Sequence, residues 1–119
     1  MEPVLLVITN LPDRESARKL AEGLVSERLA ACANVLAECA SLYWWTGAVE
    51  SAVETPVLIK TRAGLYAEVQ AYILAHHPYE VPEVIAVPVT AGHPAYLEWV
   101  LQETRSEAAR AAGGLCDPG

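Results

Sequence analysis

The chain has 119 residues, 53% hydrophobic and 19% charged, with 8 Lys and Arg against 15 Asp and Glu for a net charge of -7. That length fits one domain of about 100–150 residues, and the apolar content excludes a disordered chain, because enough surface can be buried to offset backbone ordering. The negative balance repels a phosphate backbone and argues against nucleic acid, while the absence of an apolar run near the roughly 18 residues of a bilayer span argues against a membrane protein.

Val4 to Asn10, "VLLVITN", is a short apolar run that predicts a buried strand. Pro12 ends it, Asp13 is placed to cap a helix, and Ala17, Leu20, Ala21, Leu24 and Val25 recur at helical spacing to near Arg28. "ACANVLAECASLYWW" then predicts one long strand ending at Trp45, with a turn at Thr46 and Gly47. "AVESAVETPVLIKTR" returns antiparallel; its strongest part is Val57 to Thr61, and Pro56 implies an edge, a bulge or a strand start. Leu65, Val69, Tyr72, Ile73 and His76 define a second helix that must end before Pro78. "EVIAVPVT" is a last strand, and Pro94 opens a third helix running to about Arg105. The domain is expected over residues 1–105, with 106–119 a helix end and frayed tail.

Strand, helix, strand, strand, helix, strand is the order of a split β-α-β, ferredoxin-like sandwich of the α+β class, here with an additional C-terminal helix. Two helices cover one sheet face, yet the strands are apolar at successive positions, so the second face also requires cover and an oligomer is expected. Tyr43, Trp44 and Trp45 are candidates for that interface, since neighbouring strand residues point to opposite faces and one core cannot take both indoles.

Cys32, Cys39 and Cys116 are odd in number and lack CxxC spacing, which argues against a disulfide framework and a zinc ribbon. Reduced thiols, and an opening "MEPVLLVITN" without a basic leader, fit a cytoplasmic address. Lys60 and Arg62, if near the loop after the first strand with Asn10, could form an anion pocket, although no glycine-rich loop accompanies them. "HHPYEVPE", His76 to Glu83, has two readings. His76 and His77, with Glu80 or Glu83 bending back, are donors suited to copper(II), zinc or nickel. Adjacent histidines diverge by about 100° on a helix, however, and two prolines also make the segment a rigid connector, the reading that spacing favours. GxSxG, HExxH, P-loop and GxGxxG motifs are absent, and no enzyme activity is expected.

Together "TNLPDRESARKLAEGLVSERLAACANVL", "SLYWWTGAVE", "PVLIKTR", "HHPYEVPEVIAVPV" and "GHPAYLEWV" resemble the CutA family of divalent-cation tolerance proteins, in matching order from about Val4 to Arg105. The resemblance implies a ferredoxin-like subunit in a homotrimer whose long hairpins extend sheets between neighbours. It also implies a role in metal tolerance, with copper bound through the region of His76 and His77, to which the reading of the residues adds Glu80 as a weaker third ligand. Some relatives carry a cysteine where this chain has Thr9. The implied trimer is similar in architecture to the nitrogen-regulatory PII signalling proteins, which gives the alternative of a regulator binding a small anion at Asn10, Lys60 and Arg62.

Overall fold

The structure, a computed structural model, describes residues 1–106. Its elements are β1 (Val4–Leu11), α1 (Arg14–Ser26), β2 (Cys32–Val35), β3 (Cys39–Trp45), β4 (Ala48–Arg62), a 3-10 turn (Ala63–Leu65), α2 (Tyr66–His76), β5 (Ile85–Pro88) and α3 (Pro94–Gln102). Cys116 and all but Ser106 of the C-terminal extension lie outside the described residues.

Local chemistry accounts for the boundaries. The Asp13 carboxylate accepts from the Ser16 amide at 2.8 Å and starts α1. Arg28, at φ 61°, takes the left-handed conformation that terminates it, while the Leu29 and Ala30 amides donate back to the Leu24 carbonyl. His77 is extended at φ -93°, ψ 138°, as a residue before proline must be, so α2 stops at His76. Pro94 occupies the first turn of α3, where its missing N–H costs nothing.

The sheet is antiparallel with order β2-β4-β1-β5, and β3 continues along β4 beyond β2. The single long strand expected before Trp45 is therefore two. Between the pairs Val35–Val57 and Cys39–Glu54, three residues of one side (Leu36, Ala37, Glu38) oppose two of the other (Thr55, Pro56), which is a one-residue bulge. Pro56 explains its position. Its carbonyl accepts from the Leu36 amide at 2.9 Å, and the N–H that proline lacks would point the same way, into the interruption. Pro56 thus sits inside a central strand, at a bulge.

Strand alternation assigns the faces. Val7, Leu11, Val57 and Ile59 point to one side and pack with Ala17, Leu20, Leu24, Val69 and Ile73 of α1 and α2. Each of the Val, Leu and Ile side chains, fully buried, contributes about 1.5–3 kcal/mol by removal from water. The opposite face carries Ile8, Leu58, Ile85 and Val87, paired across the strands. One end of it is covered by α3, because Arg62 on that face donates to the Leu101 carbonyl and, at 3.0 Å, to Thr104. The expected bare face is real but only partial: Ile85 and Val87 remain exposed.

Candidate functional site

Three segments meet where β1 ends: the β1 terminus, the base of the β3–β4 hairpin, and the connector from His77 to Val84. His77 is the knot. Its Nε2 lies 2.6 Å from the Asn10 carbonyl, which can only accept, so Nε2 carries the proton. Its Nδ1 accepts from the Tyr79 amide at 3.1 Å, so the remaining lone pair is also engaged. At 9% exposure, His77 is nearly sealed. The tilted Tyr79 ring stands 4.8 Å away, and its hydroxyl donates to Glu54 Oε2 at 3.1 Å. Burial first, and the Glu54 carboxylate second, hold the Tyr79 phenol above its usual pKa. Glu83 closes the other end by accepting from Asn10 Nδ2 at 2.9 Å.

His76 has the opposite environment. It is exposed at the last turn of α2, its Nδ1 donates to the Tyr72 carbonyl at 2.8 Å, and its ring stacks on that of Tyr72 at 4.0 Å. In the neutral imidazole, Nε2 then keeps a free lone pair directed away from that bond. Glu80 is exposed on the connector. Among the described residues no three His, Cys, Asp or Glu side chains cluster as a ready ligand set, so His76, His77 and Glu80 are neighbours in sequence without forming a chelate.

The anion candidates are not brought together. Asn10 pairs with Pro56, but Lys60 pairs with Leu6 and Arg62 with Val4, placing them about 13 and 20 Å along the sheet from Asn10. Antiparallel pairing sets the end of β4 beside the start of β1. Lys60 donates to Asn34 Oδ1, and Arg62 forms an ion pair with Glu2 at 2.9 Å besides its bonds to α3. No local signal in the sequence marks Glu54 or Asn10 as partners of the connector, since the bonds join residues 25 and 73 positions apart.

The hairpin candidates project from the body. Tyr43 and Trp45 share one face with Glu50, while Leu42 and Trp44 share the other with Val49. The turn has Thr46 at φ 45° and Gly47 at φ 84°, the type I′ geometry that suits strand twist. Trp44 is 74% and Trp45 62% exposed in the single chain.

Antiparallel sheet, two helices on one face and a third on part of the other define a mixed α+β domain of the kind found in CutA1 crystal structures. The CutA1 protein of Oryza sativa superposes with a TM-score of 0.86 at 40% identity, covering 89% of this chain and 97% of that one. The divalent cation tolerance protein of Thermus thermophilus gives 0.84 at 37%, covering 86% and 99%. The chain belongs to the CutA1 divalent ion tolerance protein family, whose pattern matches residues 5–103. The divalent-cation tolerance protein CutA of Pyrococcus horikoshii is 41% identical over 102 residues, 86% of this chain and 99% of that protein. Oryza sativa protein CutA 1, chloroplastic, is 41% identical over 103 residues, but this chain spans only 58% of its length. Family membership carries a link to divalent-ion tolerance; the family's name describes no reaction.

Proposed function

We propose that this chain serves divalent-cation tolerance by binding the cation directly, without turnover, as a cytoplasmic homotrimer, and that copper(II) is the cation it takes. The observation that carries the reading is His76: an exposed imidazole whose Nδ1 is committed to the Tyr72 carbonyl and whose Nε2 is left as a donor. Imidazole nitrogen with carboxylate suits copper(II). Glu80 is the carboxylate proposed beside it. His77 joins the ligand set only by giving up its bond from the Tyr79 amide. One chain offers no closed ligand cluster among its described residues, so the remaining donors come from a second copy or from water.

The strand order supports a ferredoxin-like topology when β2 and β3 are counted as one bulged strand. Two features support the trimer: the apolar hairpin face of Leu42, Trp44 and Val49, and the uncovered end of the second sheet face. Cys32 and Cys39 are free thiols, in keeping with a reducing compartment. Calorimetric titration of metal-free protein with copper(II) at neutral pH tests the binding. Submicromolar affinity lost in His76→Ala is expected, with His77→Ala weaker in effect; equal binding by parent and His76→Ala refutes the site.

A further inference from the structure

We infer that Tyr72 is a positioning residue that holds His76 as the Nδ1–H tautomer, so that the adjacent histidines are fixed as opposite tautomers and only His76 presents a free nitrogen. The assignment deepens the cation-binding reading, but its first part stands on hydrogen bonding and ring stacking alone, without any cation. Both bonds to backbone carbonyls run from ring N–H groups, because a carbonyl oxygen cannot donate. His76 uses Nδ1 for the Tyr72 carbonyl, one helical turn before it, and His77 uses Nε2 for the Asn10 carbonyl. The Tyr79 amide then fills the second nitrogen of His77. Nothing fills Nε2 of His76 among the described residues.

Tyr72 contributes its ring as well as its carbonyl. The rings of Tyr72 and His76 lie 4.0 Å apart and 20° from parallel, which fixes the imidazole against rotation. The far end of Tyr72 rests on α1 at Gly23, where an added Cβ would fall 1.9 Å from the tyrosine hydroxyl. Gly23 leaves the room that the ring needs. A column therefore runs from α1 through Tyr72 to the exposed imidazole, and outer groups of this kind are what orient a metal-binding histidine.

The test is a long-range 1H–15N correlation spectrum of the metal-free, 15N-labelled full chain above the imidazole titration range, followed by titration with Zn2+ alone. The expected spectrum has His76 protonated at Nδ1 and His77 at Nε2. Both variants keep the backbone carbonyl: Tyr72→Phe, which also keeps the ring, preserves the pattern, whereas Tyr72→Ala, which removes the stacked ring that holds the imidazole on that carbonyl, returns His76 to a tautomer mixture, leaves His77 unchanged and weakens Zn2+ about tenfold. A parent spectrum in which both histidines average between tautomers overturns the inference, as does a Tyr72→Ala spectrum identical to the parent's. If the tautomers are as assigned and Zn2+ shifts neither ring, the positioning assignment stands and the cation-binding reading falls.

Discussion

The two halves of β4 make the most instructive comparison in the molecule. From Thr55 to Thr61 every second residue is sealed under α1 and α2, whereas from Ala48 to Val53 the same strand, equally well paired, buries almost nothing. Backbone pairing is therefore not what distinguishes core from projection. The difference is cover: the proximal half lies between β1 and β2 beneath two helices, and among the described residues the distal half has only β3 beside it. An isolated two-stranded ribbon is marginal in water, and this one presents Leu42, Trp44, Val49 and Val53 without a covering layer.

Three measurements would break or sharpen that contrast. Ile59→Ala, in the covered half, is expected to lower unfolding free energy by about 2–5 kcal/mol in a denaturant titration, because it leaves a cavity among α1 and α2 side chains. Leu42→Ser with Trp44→Ser, in the uncovered half, leaves those packing contacts intact and is expected to act on association by about 2 kcal/mol or more at a central anchor. On the proposed trimer, sedimentation should report a fall from three chains to one of 12.8 kDa; an unchanged particle mass would show that cover comes from elsewhere. Tyr79→Phe, at the boundary of the halves, removes the bond to Glu54 and should cost less than about 1 kcal/mol, since the pair is largely solvated. Its pH signature is specific. The folded pKa of Tyr79 lies above the ordinary 10.0, so the stabilisation is complete below the unfolded value and is lost as pH rises through the folded one. Phenylalanine should flatten that alkaline limb.

Elements with local signals were legible in the sequence: the β1 apolar run, the Asp13 cap, the Pro78 stop after α2 and Pro94 at the start of α3. The break between β2 and β3 was not, because Leu36, Ala37 and Glu38 contain neither glycine nor proline. Its marker stands on the opposing strand, as Pro56. The connector reading of "HHPYEVPE" rested on Pro78 and Pro82, but the knot that holds it is His77 bonded to a carbonyl 67 residues away, and backbone acceptors have no sequence signature. Asn10, Lys60 and Arg62 do not converge because β4 runs antiparallel to β1, as the expected ferredoxin-like order already requires, so the end of β4 lies beside the start of β1. His76 and His77 look equivalent as letters and differ entirely in what their nitrogens touch.

The bulge opposite Pro56 also bears on how chain length can vary among descendants of this sequence. Because the Thr46–Gly47 turn sets the hairpin pairing independently, loss of one residue between Val35 and Cys39 would leave every partner of β3 in place and only smooth the ladder. Loss of Trp45, between these side chains and the turn, would instead turn Leu42 and Trp44 to the opposite face of the ribbon. Insertions and deletions are thus expected to accumulate at residues 36–38 and to be purged a few positions later, a boundary that deep mutational scanning of single-residue deletions would reveal.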